Sequence, residues 1–121
     1  MSRLLLVDDD ADILEALAGA LEDQHRISTA RNGIEALEIL KTHSFDTMIL
    51  DLTMPLMDGE TLLATMRKGG IALPVVLASG SADICELAQR FGVDHITKPY
   101  DIAALERKLA CLRADPSETK P

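Results

Sequence analysis

The stretch Met48-Ile49-Leu50-Asp51-Leu52-Thr53-Met54-Pro55-Leu56-Met57-Asp58-Gly59 decides the fold. Its first three residues form an unbroken apolar run, the pattern of a strand covered on both faces. A carboxylate ends the run, and Pro55 and Gly59 mark the turn that follows. Asp51 is therefore expected to be exposed at the tip of a buried strand, where an acid serves chemistry better than packing.

The same grammar recurs on either side of this stretch. Leu4 to Val7 is a second continuous apolar run, stopped by Asp8-Asp9-Asp10, and Leu73 to Ala78 is a third, interrupted only by Pro74 near its start, where a strand tolerates proline. His25 to Ala30 alternates polar and apolar residues, and Asp94 to Thr97 is short and polar, so both read as half-exposed strands. Between the strands lie helical patterns. Asp10 caps a helix carrying Ile13, Leu14, Leu17 and Leu21 that ends near Asp23. Asn32 and Glu35 form a capping box for a helix with Leu37 and Leu40 that runs to about His43. Glu60 to Lys68 carries Leu62, Leu63 and Met66 and closes at Gly69-Gly70. Ala82 to Phe91 places Ile84, Leu87, Ala88 and Phe91 on one face and stops at Gly92. The last helix runs from Tyr100 or Asp101 to about Arg113, with Ile102, Leu105, Leu109 and Leu112 inward.

Strands that alternate strictly with helices require a parallel sheet with helices on both faces, because each crossover is right-handed and its helix must cover the sheet. Continuously apolar strands one, three and four belong inside, and half-polar strands two and five at the edges. The order 2-1-3-4-5 meets both conditions, an α/β flavodoxin-like (βα)5 arrangement whose switch point lies between strands one and three. Residues 1–113 make one domain. Residues 114–121 are expected to be a disordered tail or the start of a linker, since the segment is polar and carries two prolines.

Composition narrows the function. The chain has 121 residues, 47% of them apolar and 26% charged, an ordinary globular balance. Aromatics supply only 2%, so aliphatic residues must fill the core. A net charge of −8 without any basic run disfavours direct nucleic-acid binding and points toward a cation. No apolar stretch reaches membrane-spanning length, and Met1-Ser2-Arg3 with four apolar residues is no signal peptide, so a cytoplasmic location is expected. Cys85 and Cys111 lack metal-ligand spacing and are expected to be reduced packing residues. His25 and His43 are expected on the surface at element ends, and Asp58-Gly59 as a turn and helix start.

In such a sheet, ligands bind beyond the carboxyl ends of the strands at the switch point. The residues there are Asp8 and Asp9 after strand one, Asp51 after strand three, Ser79 after strand four and Lys98 after strand five. Three carboxylates converging this way raise one another's pKa unless a cation neutralises them, and an all-oxygen donor set favours Mg²⁺.

The blocks Leu6-Val7-Asp8-Asp9-Asp10, Asp51 to Gly59, Pro74-Val-Val-Leu-Ala-Ser79-Gly80 and Lys98-Pro99-Tyr100 resemble the signature blocks of receiver domains of two-component response regulators, and the resemblance covers residues 3 to 113. It implies a signalling switch rather than a metabolic enzyme. Asp51 would be the phosphoacceptor, taking a phosphoryl group from a histidine kinase or histidine phosphotransfer protein. Asp9 and Asp51 would supply carboxylates to Mg²⁺, Asp8 would act mainly through water, and the Thr53 backbone carbonyl would complete the protein's share. Lys98 would meet a phosphoryl oxygen as a point charge and Ser79 would donate a hydrogen bond to another. Ser79 and the residue at position 95 would then switch the face made by helix four, strand five and helix five, which would act on a downstream partner or fused output domain and, on phosphorylation, could pair into a dimer. Position 95 is His here, where Tyr or Phe is commoner, and Ser79-Gly80 replaces the usual Thr-Ala. The resemblance also implies that Thr53 and Ser81 occupy positions that tune the phosphoryl lifetime in the family.

Two other readings compete. A small Mg²⁺-dependent aspartyl phosphohydrolase would use Asp51 as nucleophile, but position 53 is Thr where many aspartyl phosphatases carry a second acid, and no cap domain is expected. Flavin binding on the same fold is opposed by the acidic loop after strand one, which would repel an FMN phosphate.

Overall fold

The structure, a computed structural model, describes residues 2–52, 57–80, 83–98 and 102–113. Strands β1 (Ser2–Val7), β2 (His25–Ala30), β3 (Thr47–Asp51), β4 (Val75–Ser79) and β5 (Asp94–Thr97) alternate with helices α1 (Ala11–Leu21), α2 (Gly33–Thr42), α3 (Gly59–Lys68), α4 (Ile84–Phe91) and α5 (Ile102–Arg113). All strand pairs are parallel and the order is β2-β1-β3-β4-β5, as the hydrophobic ranking of the strands requires.

The core explains why the inner strands are apolar throughout. Successive side chains point to opposite faces, so each strand feeds two separate layers. Leu5, Val7, Met48, Leu50, Val75 and Leu77 pack with Ala36 of α2, Leu62, Leu63 and Met66 of α3, and Ile84 and Leu87 of α4. Leu4, Leu6, Ile49, Val76 and Ala78 pack with Leu14, Leu17 and Leu21 of α1 and Leu105 and Leu109 of α5. All five residues of β3 and all five of β4 are buried, whereas both β2 and β5 keep exposed positions.

Local signals set the boundaries. The Asp10 side chain accepts the amides of Asp12 and Ile13 and opens α1. Asn32 Oδ1 accepts the Glu35 amide at 2.8 Å, but the returning bond of the box falls one residue earlier, on the Arg31 amide at 3.0 Å. Asp58 caps α3 through the Thr61 amide at 2.8 Å. Gly92 ends α4 in the left-handed region at φ 68°, where glycine alone is unstrained.

Several expectations shift. β4 begins at Val75 rather than Leu73, because Pro74 has no N–H for the ladder; its carbonyl instead accepts the Met48 amide at 3.0 Å. β3 and β4 each run one residue further, so Asp51 and Ser79 are the last residues of their strands rather than the first beyond them. His25 is buried, not on the surface, since its strand begins in register with Ser2 of β1. His43 is exposed as expected. Cys85 is a free, exposed thiol and no packing residue, for it lies on the outer side of α4. Helix four begins at Ile84, with Asp83 at its N-cap position. Ala82, the start expected of helix five and the tail at 114–121 lie outside the described residues, as do Thr53, Ser81, Pro99 and Tyr100.

Candidate functional site

Backbone bonds that extend the sheet past its strands hold the site. The Asp8 amide donates to the Ala30 carbonyl at 3.1 Å, the Leu52 amide to Ala78 at 3.1 Å, and the Lys98 amide to Ser79 at 2.9 Å. The backbone of Asp8, of Leu52 beside Asp51, and of Lys98 is thus anchored by the neighbouring strand. Such anchoring gives side-chain positions the stiffness of the sheet.

Each acid of the Asp8-Asp9-Asp10 run has a separate task. Asp10 turns away to cap α1, while its own amide donates to Asp8 Oδ1 at 2.9 Å. Asp8 is therefore oriented by the same turn that starts the helix. Asp9, between them, stays exposed. Carboxylate oxygens of Asp8, Asp9 and Asp51 lie within 4.8 Å of one another.

Asp51 was expected to be exposed, yet it is only 6% accessible, as is Asp8. The strand tip is recessed because α3 closes directly over it. The Gly59 amide donates to the Leu52 carbonyl at 2.9 Å, and a Cβ at Gly59 would stand 2.9 Å from the Asp51 carbonyl oxygen and 2.9 Å from Leu52 Cα. Only glycine permits that approach.

Lys98 Nζ reaches Asp51 Oδ1 at 3.2 Å and Asp8 Oδ2 at 3.3 Å. Burial pulls the ammonium toward its neutral form, but the Asp51 and then the Asp8 carboxylates more than offset this and hold its pKa above the ordinary 10.5. One cation against three acids still leaves the cluster short of positive charge. The donors are all oxygen, two of the three acids are recessed, and Asp9 faces solvent, a set suited to Mg²⁺ with part of its water shell retained.

Ser79, 5% accessible, ends β4 opposite Thr97 of β5. His95 sits in mid-strand opposite Leu77, half-buried, with its amide bonded to the Asp94 side chain at 2.7 Å. The structure therefore brings Asp8, Asp9, Asp51 and Lys98 together, sets Ser79 on the adjoining strand end, and leaves His95 one turn of the pleat away. Sequence reading took Asp58-Gly59 for a turn and helix start, which it is, but missed that Gly59 carries the contact with Asp51. No pattern separates a glycine that begins a helix from one pressed against a neighbouring strand.

Residues 4–110 match the family model of the response regulator receiver domain. The chain is 32% identical over 123 aligned residues to response regulator MprA of Mycobacterium avium (strain 104), covering 98% of this chain and 53% of that protein. It is equally identical to MprA of Mycobacterium tuberculosis (strain ATCC 25618 / H37Rv), covering 52% of that protein. The chain thus spans about half the length of the curated relatives it matches. Among solved structures, the Francisella response regulator 1452 receiver domain superposes with a TM-score of 0.86 at 30% identity, over 93% of this chain and 96% of that one. The response regulator TrrA from Thermotoga maritima, in complex with Mg²⁺ and BeF, superposes with a TM-score of 0.82 at 30% identity, over 93% and 99% of the two chains. These matches do not favour the phosphohydrolase reading, and the sheet order, the acid cluster and the family model lead to one assignment: the chain belongs to the response regulator receiver domains of two-component signalling.

Proposed function

We propose that Asp51 is the phosphoacceptor of this receiver and that Asp8, Asp9 and Asp51, with the Thr53 carbonyl, hold Mg²⁺ there. The observation that carries this reading is the recessed Asp51 carboxylate, paired with Lys98 at 3.2 Å and facing two further acids. An Asp51 oxygen attacks the phosphorus of a phosphohistidine on a histidine kinase or phosphotransfer protein. The phosphorus–nitrogen bond breaks, the imidazole leaves, and an acyl phosphate forms. Mg²⁺ supplies the positive charge that lets carboxylates and phosphoryl oxygens approach. Lys98 leaves its bridge between Asp8 and Asp51 to meet a phosphoryl oxygen, and Ser79 donates to another. Positioning and charge neutralisation are most of what phosphoryl transfer asks of a protein.

The output follows from the same movement. Lys98, which follows β5 directly, donates its amide to the Ser79 carbonyl, and Ser79 stands in register with Thr97, so the ends of β4 and β5 are tied together. Drawing the two residues toward the phosphoryl group displaces the β5 end, and with it His95, remodelling the face of α4, β5 and α5. That face contacts a downstream protein or fused output domain, or a second copy, in the cytoplasm. Phosphorylation of the chain is a switching event; hydrolysis of the acyl phosphate is its slow reset.

Incubation with acetyl phosphate and Mg²⁺ should label the wild type and leave Asp51→Asn unlabelled. With beryllium fluoride and Mg²⁺, NMR shifts of His95 and α4 should change. Binding at Asp51 with those shifts unmoved would sink the proposed output route, and steady turnover of a phosphomonoester would favour the hydrolase instead.

A further inference from the structure

We propose that Gly33, at the start of α2, is a positioning residue for phosphotransfer that acts through Met57; this rests on Asp51 being the phosphoacceptor. A Cβ at Gly33 would lie 2.8 Å from Met57 Cβ, 2.8 Å from its Cγ and 2.9 Å from its carbonyl oxygen. No side chain of any kind fits there without moving Met57. Helix propensity gives no reason for glycine at a buried first-turn position, so the missing side chain is used by the contact itself.

Met57 leads straight into the site. Asp58, next in the chain, caps α3, and Gly59 presses on the Asp51 carbonyl and Leu52. Residues 57–59 are thus held between the α2 start on one side and the β3 tip on the other. The α2 start is itself fixed by the Asn32–Glu35–Arg31 cap, and two residues before Asn32 the Ala30 carbonyl accepts the Asp8 amide. One short segment, Ala30 to Gly33, therefore touches the backbone of Asp8 at one end and Met57 at the other. It acts as a spacer between the two acids that share Lys98.

The test is the rate of Mg²⁺-dependent labelling by acetyl phosphate, measured well below the unfolding midpoint of every variant. Gly33→Ala forces Met57 aside by roughly half an ångström and is expected to slow labelling about tenfold, since misplacement by 1 Å costs on the order of a hundredfold. Gly19→Ala, in α1 with nothing within 4 Å of the added carbon, is the matched control and should label at the wild-type rate. Met57→Ala removes the Cγ that faces Gly33 and should slow labelling about threefold; combined with Gly33→Ala it should be faster than the product of the two single effects, because both act on one contact. A purely structural glycine would lower the melting temperature and leave the rate of folded protein unchanged, and that result overturns the proposal. Should Gly33→Ala not fold, Met57→Ala decides alone: labelling at the wild-type rate overturns it. A wild type that takes no label at Asp51 removes the phosphoacceptor reading and the inference with it, an outcome distinct from equal labelling of wild type and variants.

Discussion

Replacing Lys98 by methionine keeps the stem and removes the charge, and the structure gives the size of the effect. The ammonium stands 3.2 Å from Asp51 Oδ1 and 3.3 Å from Asp8 Oδ2. At an effective dielectric of about 20 each contact represents ~5 kcal/mol of gross attraction. Much of that is returned as the desolvation of a side chain only 27% exposed. Removing one partner of a buried pair costs about 3–5 kcal/mol because the other charge is left behind, and discounting for the partial exposure brings this to roughly 2–4 kcal/mol. For a domain of this size that is a loss of about 10 °C in melting temperature. The assay is urea and thermal unfolding at neutral pH in EDTA, then in saturating Mg²⁺. Lys98→Met should be the less stable in EDTA, and Mg²⁺ should narrow the gap, since a cation at a hundred times its Kd adds about 2.7 kcal/mol and here also replaces the missing charge. Equal stability of the two proteins in EDTA would refute the electrostatic account of the cluster.

The pH dependence of the same pair has a fixed sign. Lys98 has a folded pKa raised above 10.5, so at alkaline pH its contribution is complete up to that value and is lost as pH climbs through the folded pKa; the difference between wild type and Lys98→Met should hold from neutral pH to that point and shrink above it, checked by unfolding at stepped pH from neutral upward. Gly59→Ala places a carbon 2.9 Å from the Asp51 carbonyl and should cost about 1–3 kcal/mol in urea unfolding while slowing acetyl-phosphate labelling. Gly19→Ala, in open space on α1, should instead stabilise by roughly 0.5–1 kcal/mol. Asp10→Ala removes the acceptor for the Asp12 and Ile13 amides and should cost about 1 kcal/mol.

The sheet was readable because burial on both faces writes itself as continuous apolar runs, and Leu4–Val7 and Met48–Leu50 carry that signature without interruption. The same runs point at their own ends, which is why Asp8 and Asp51 could be gathered from strands distant in sequence; Lys98 follows the short polar edge strand and was placed by the strand order. What the residues do not encode locally is depth. Asp51 lies recessed because Gly59 lets α3 close over it, and that distance depends on two elements meeting, not on either pattern. His25 was misplaced for a related reason: a polar residue at a strand start looks solvated until its neighbouring strand is known. The Gly33–Met57 contact has no sequence signature either, since neither the start of α2 nor the turn before α3 encodes what it will meet.

Locating the phosphoryl group is the most direct trial of the central claim. The protein would be incubated with a phosphorylated histidine kinase or acetyl phosphate and Mg²⁺, reduced with borohydride, which releases phosphate and converts the phosphorylated aspartate to homoserine, and sequenced by peptide mass spectrometry. Modification at Asp51, abolished by EDTA and by Asp51→Asn, is the predicted result; a label at any other residue, or one formed equally well without Mg²⁺, would contradict it.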